Sequence, residues 1–159
     1  MAITYRPILP SEHYFLKDML YEAIFDPKPD LPRSIVDQPE LARYIRDWGQ
    51  PGDLAWVALE NTQLVGAIWC RKLKRSDPGY GYIDDSTPEL GIAVKPNYRN
   101  QGIGTQLLKK LISTSHKNSV KALCLSVDKR NPAVHLYQRV GFKVVGEEET
   151  AYTMKKEIT

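Results

Sequence analysis

Residues 89–112 carry an apolar run, a glycine turn and a helical stripe in direct succession. The run is Glu89-Leu90-Gly91-Ile92-Ala93-Val94, the turn Arg99-Asn100-Gln101-Gly102-Ile103-Gly104, and the stripe Ile103, Leu107, Leu108, Leu111 and Ile112. The run reads as a buried strand and the stripe as one face of a helix reaching about Lys117. A chain with this feature must lead a sheet strand into the exposed start of a helix. Such a start presents unpaired amides and the positive end of the helix dipole, which suits a phosphate. Glycine there lets a ligand approach the backbone. The same letters also fit a plain tight turn.

The flanking sequence supplies a sheet for that strand. Residues 3–8 favour a strand, and Ser11 is placed to cap a helix over residues 12–24 with Phe15, Leu16, Met19 and Leu20 on its apolar face. Pro27, Pro29 and Pro32 make residues 25–36 an irregular connection that can line a substrate entrance. Leu41, Tyr44, Ile45 and Trp48 keep helical spacing between Pro39 and Gly49, which predicts a second helix. Residues 54–59 and 64–73 predict an antiparallel pair around Glu60-Asn61-Thr62-Gln63. Asp77-Pro78-Gly79 opens a loop over residues 76–87, and Gly91 marks a bulge or a close approach. Residues 120–127 form a further strand. Asn131-Pro132 starts a short helix ending before Gly141, and residues 142–145 and 152–156 close as a hairpin. The expected fold is mixed α/β (α+β), a largely antiparallel sheet of about seven strands with helices on both faces, in a single domain over residues 1–159.

Composition narrows the function classes. At 159 residues with 42% hydrophobic and 26% charged side chains, the chain suits one soluble core and contains no membrane-length apolar run. A net charge of +3 is too balanced for a nucleic-acid partner, and Arg71-Lys72-Leu73-Lys74-Arg75 reads as a solvated strand end. The start Met1-Ala2-Ile3-Thr4-Tyr5-Arg6-Pro7 does not resemble a secretory signal, so a cytoplasmic location is expected. Cys70 and Cys124 lie in apolar strands and read as buried thiols. His13, His116 and His135 lack metal-ligand spacing.

Two phosphate-binding rivals fail on the letters of the turn. A Walker loop requires Lys after its last glycine, where Gly104 is followed by Thr105. A dinucleotide fingerprint requires a third small residue where Leu107 stands. The pattern Ile92-Ala93-Val94, Arg99, Gly102 and Gly104, followed by Asn131, Tyr137 and Gly141-Phe142, resembles the GNAT superfamily of acyl-CoA N-acyltransferases over residues 89–142.

The resemblance implies an acetyl-CoA co-substrate. The backbone of Arg99, Asn100, Gln101, Gly102, Ile103, Gly104 and Thr105 would hold the pyrophosphate, while Ile92, Ala93 and Val94 pair with the pantetheine arm. It also implies that the Val94 strand splays from the strand over residues 120–127. Asn131 would bond the arm, cap its helix, or both, and Arg99 faces a phosphate or is structural. Tyr137 would serve the departing thiolate. The acceptor is a small-molecule or peptide primary amine, and a homodimer is left open. At pH 7 an alkylammonium is only about 0.04% neutral, a cost of about 4.6 kcal/mol, so a carboxylate base is needed. Glu89 is the first candidate, since it alternates with Gly91 and Ala93 on one strand face; Asp84, Asp85, Glu22 and Asp26 are the others. Asp84, Asp85 and Glu89 would also attract a cationic acceptor, although a solvated acidic loop gives the same letters. A non-catalytic CoA-binding module with a protein partner is the alternative function.

Overall fold

The computed structural model describes residues 2–26 and 30–158. Seven strands form one mixed sheet: β1 Ile3–Pro7, β2 Leu54–Glu60, β3 Gln63–Arg71, β4 Glu89–Val94, β5 Ala122–Asp128, β6 Lys143–Glu147 and β7 Ala151–Glu157. Their spatial order is β1-β2-β3-β4-β5-β7-β6. Every neighbouring pair is antiparallel except β4 and β5. Helices α1 Tyr14–Ala23, α2 Pro39–Ala42, α3 Ile103–Lys117 and α4 Ala133–Arg139 cover the two faces.

The alternation of side chains along each strand divides the interior into two cores. On one face Leu107, Leu108 and Leu111 of α3 pack with Ile68, Leu90, Leu123 and Met154. On the other, Phe15, Leu16, Met19 and Leu20 of α1 pack with Val57, Ala67, Trp69 and Ala93. β4 faces both, sending Leu90 and Ile92 to α3 and Ala93 to α1. Gly91 is a close approach and not a bulge: a Cβ there would lie 2.6 Å from the Trp69 indole. β3 and β4 pair in unbroken register from Gly66 opposite Val94 to Arg71 opposite Glu89.

The chain departs from its sequence expectations at three places. Ser11 does not cap α1, because a short 3-10 turn, Pro10–Glu12, precedes that helix. The N-cap position of α1 falls to His13, with no side-chain cap, while Glu12 holds the 3-10 turn, accepting two 2.7 Å bonds from the Arg6 guanidinium and one of 3.0 Å from the Leu9 amide. The predicted second helix is reduced to α2, and residues 43–47 continue as turns. Arg71 accounts for that: its Nη1 donates to the carbonyls of Arg43 and Arg46 at 3.1 and 2.7 Å, where a helix would direct them to its own amides. Consequently Arg71 is not part of a solvated strand end. Only 8% exposed, it pairs with Asp53 through Nε at 3.0 Å and Nη2 at 2.7 Å. Pro27 and Pro29 lie outside the described residues. Beyond them Arg33–Asp37 forms a 3-10 turn.

Candidate functional site

Strands β4 and β5 run parallel but share only the Glu89–Cys124 pairing, with the Cys124 amide donating to the Pro88 carbonyl at 3.0 Å. Beyond it they separate. In an antiparallel ladder, hydrogen-bonded and non-bonded pairs alternate. The Lys95 amide donates to the Val65 carbonyl at 2.8 Å, so in the same register Ala93, Gly91 and Glu89 bond to β3. The peptide groups of Ile92 and Val94 therefore face the gap, whereas those of Ala93 are committed to β3.

The gap widens into a cleft of about 1060 Å³. At one end lies the glycine turn. Asn100 and Gly102 have φ of 62° and 81°, and these left-handed residues aim the following amides outward. The amides of Gln101, Gly102, Ile103, Gly104 and Thr105 donate to no group among the described residues. A Cβ on Gly102 would meet nothing within 4 Å, and one on Gly104 only Ile92 and Leu136 side-chain atoms at 3.8 Å. Packing thus does not require glycine at residue 104. A ligand on the amides would. Arg99 turns away from this cradle, giving Nε to the Val94 carbonyl at 2.9 Å and Nη2 to Glu22 at 3.1 Å.

Along the β5 side, Asn131 Oδ1 accepts from the Ala133 amide at 2.9 Å, which fixes the start of α4. That helix carries Tyr137 into the cleft wall with its ring edge-on to Phe142, centroids 6.0 Å apart. Its hydroxyl has no hydrogen-bond partner among the described residues. Burial pushes the phenol up to about 12, so it remains a donor throughout the neutral range.

At the far end sits Glu89, 4% exposed. Its Oε2 accepts from the Tyr44 hydroxyl at 2.7 Å and the Gly81 amide at 3.0 Å, and Oε1 is buried without a partner. Desolvation raises the carboxyl above its ordinary value, opposed by those two bonds and the nearby Arg43 charge. The loop after Asp77 passes so close that a Cβ on Gly79 would lie 2.1 Å from Glu89 Oε1, and one on Gly81 2.6 Å from the Leu125 carbonyl carbon. Tyr44, Gly79 and Gly81 thus surround Glu89, although in the sequence Tyr44 stood only in a helical stripe and the loop only as a turn signal.

The other carboxylates are placed differently. Asp84 is spent on its own loop, accepting from the Ser86 amide and from the Ser86 and Thr87 hydroxyls, and those bonds lower its pKa. Asp85 accepts from the Arg75 amide and the Tyr82 hydroxyl. Neither lines the cleft. Glu22 and Asp26 do, Glu22 being paired with Arg99 and Arg33. Cys70 and Cys124 are buried thiols, and burial raises both, Cys70 to about 12. Neither is poised as a nucleophile.

The model of the acetyltransferase (GNAT) family matches residues 17–142. The chain is 32% identical over 94 residues to a ribosomal protein bS18 alanine N-acetyltransferase of Haemophilus influenzae, covering 59% of this chain but 58% of that protein. It is 26% identical over 139 residues to N-alpha-acetyltransferase 30 of Schizosaccharomyces pombe, covering 85% and 82%. In fold it resembles PaiA N-acetyltransferase of Thermoplasma acidophilum, solved with coenzyme A, with a TM-score of 0.70, 20% identity and 99% of each chain aligned.

Proposed function

Because the chain belongs to the acetyltransferase (GNAT) family, we propose that it moves an acetyl group from acetyl-CoA to the primary amine of a small-molecule or peptide acceptor by direct attack in a ternary complex. One observation carries this reading: a single cleft joins the unpaired amides of the glycine turn, the open edge of β4, the Tyr137 hydroxyl and the Glu89 carboxyl. The residues fit the donor in chemistry as well as in shape. Five unpaired amides at a helix start match a pyrophosphate, and the gap-facing peptide group of Ile92 and amide of Val94, whose carbonyl already accepts from Arg99, match the amides of a pantetheine arm. Acetyl-CoA supplies the activated acetyl thioester; the rest falls to the chain.

Tyr137 donates a hydrogen bond to the sulfur side of the reacting centre. Full proton release is disfavoured, since a phenol at about 12 against an ordinary thiol near 8.5 leaves about 5 kcal/mol to climb. Donation without transfer is the cheaper role. Glu89 Oε1 is the oxygen left to accept the proton of the acceptor ammonium, relayed by water because Oε1 is itself buried, since Oε2 is already held by Tyr44 and Gly81. Asn131 fixes the α4 start and through it the height of Tyr137. Arg99 braces Val94 against α1 by way of Glu22.

The test is thiol release from acetyl-CoA over a panel of polyamines, amino acids, aminoglycosides and peptides with free N-termini, alongside calorimetry with CoA. Turnover of one amine class is the expected result. Failure to bind CoA refutes the donor site, and binding with no turnover of any amine leaves the non-catalytic module as the correct reading.

A further inference from the structure

The acceptor end of the cleft contains a hydrogen-bonded chain that the proposed chemistry does not by itself require. The Tyr80 amide donates to the Tyr44 hydroxyl at 2.7 Å, and that hydroxyl donates to Glu89 Oε2 at 2.7 Å. Tyr44 is 8% exposed, and its burial beside the Glu89 charge raises its pKa, so it stays a donor over the working pH range. The backbone around Tyr44 is pinned from behind, since Arg71 holds the carbonyls of Arg43 and Arg46 while its own charge is paired with Asp53. Cross-strand, Arg71 is also the register partner of Glu89. Residues 43–46 are therefore held as a bracket that delivers one hydroxyl to one carboxylate.

We propose that Tyr44 is a positioning residue for the acceptor-side base, fixing the rotamer of Glu89 so that Oε1 is left as its one unbonded oxygen and stabilising its ionised form. The proposal rests on the reading of Glu89 as that base. Without the hydroxyl, Oε2 would keep only the Gly81 amide, and the carboxylate would lose the shorter of its two bonds. The charged and titratable groups around Glu89 are few. Arg43 stacks on Tyr44 and Tyr80 at 5.6 and 5.0 Å and pairs with Asp77 at 3.6 Å. Cys124 lies across the pairing on β5, and Arg71 is spent on Asp53. Arg43 Nε is buried without a partner, and none of these groups donates a hydrogen bond to Glu89 in the wild type.

The experiment combines a measurement on the ligand-free protein with one on turnover. In the first, the Glu89 side-chain carboxyl is followed by carbon-13 NMR against pH, with Glu89→Gln identifying the signal. A hydrogen bond to a carboxylate has a net worth of about one pKa unit or more, so Tyr44→Phe is expected to move the midpoint up by about one unit. In the second, thiol release against pH should show the acidic limb of kcat/KM moving up by the same amount. Turnover should be about tenfold lower on that limb and recover at alkaline pH, with CoA affinity unchanged. Loss of packing alone would not be restored by alkali. An unmoved carboxyl midpoint overturns the proposal. Full turnover in Glu89→Gln removes Glu89 as the base and this proposal with it, while loss of turnover there beside an unmoved limb in Tyr44→Phe removes only the role of Tyr44. If Tyr44→Phe does not fold, the ring carbon bearing the hydroxyl of Tyr44 in the wild type is followed instead. It should titrate with the Glu89 midpoint, and independence of the two signals refutes the pairing.

Discussion

Gly102 and Gly104 stand two residues apart in the same turn, yet alanine should separate them cleanly. At Gly104 the new methyl has only side-chain carbons at 3.8 Å for neighbours, an ordinary contact, and the backbone is already helical. Alanine there lowers the entropy of the unfolded chain and favours helix, worth about 0.5 kcal/mol in a first turn. For a chain of this size that raises Tm by about 1–2 °C. The same methyl occupies the space in which a pyrophosphate would sit on the amides. Displacing one charge-assisted bond costs about 1.5–3 kcal/mol, or about 10- to 100-fold in Kd. At Gly102 the φ of 81° makes any Cβ unfavourable by about 1–2 kcal/mol although nothing lies within 4 Å of it. Thermal unfolding and CoA calorimetry on both variants decide the matter. Gly104→Ala should be slightly more stable and bind CoA at least tenfold more weakly, and Gly102→Ala should be less stable by several degrees. Wild-type CoA affinity in a folded Gly104→Ala would refute the assignment of the turn as the phosphate cradle.

Two further outcomes follow from the same geometry. Tyr137→Phe should lower turnover more than it changes CoA affinity in steady-state kinetics and calorimetry; a loss of Tm with turnover intact would instead make the ring a packing partner of Phe142. Asp53→Ala leaves the buried Arg71 charge unpaired and should cost about 3–5 kcal/mol, read as a fall in Tm of about 10 °C. An unchanged Tm would show that the pair does not hold residues 43–46.

Short-range patterns carried the glycine-turn half of the candidate site in plain view. The strand, the glycine turn and the helix of residues 89–117 are contiguous, so letters alone placed their amides and their apolar stripe. The half around Glu89 depends on contacts between residues far apart in sequence. Tyr44 was legible as one member of a helical stripe with Leu41, Ile45 and Trp48, and that spacing predicted a helix the chain does not complete. The competing signal was Arg71, which looked like one residue of a basic run and instead draws off two carbonyls and a carboxylate. Glu89 was singled out as a candidate by strand alternation, but the hydroxyl that holds it comes from a residue 45 positions earlier. Asp77-Pro78-Gly79 announced a turn without revealing that its glycine lets the loop pass over a carboxylate. Ser11 had the right letter for a cap but falls inside a 3-10 turn held by Glu12, whose longer side chain reaches both Arg6 and the Leu9 amide, so α1 begins two residues later without a side-chain cap.

The indole of Trp69 lying across Gly91 also ties two positions together over evolutionary time. No side chain can be gained at residue 91 while the ring stays, since even a methyl would lie 2.6 Å from it, and shrinking the ring first would open a void in the α1 core beside the cleft. Each single step passes through a less stable protein. A lineage that reshapes this wall must change both residues together or leave both alone, so residues 69 and 91 should vary as a pair when sequences of this chain's nearest relatives are aligned.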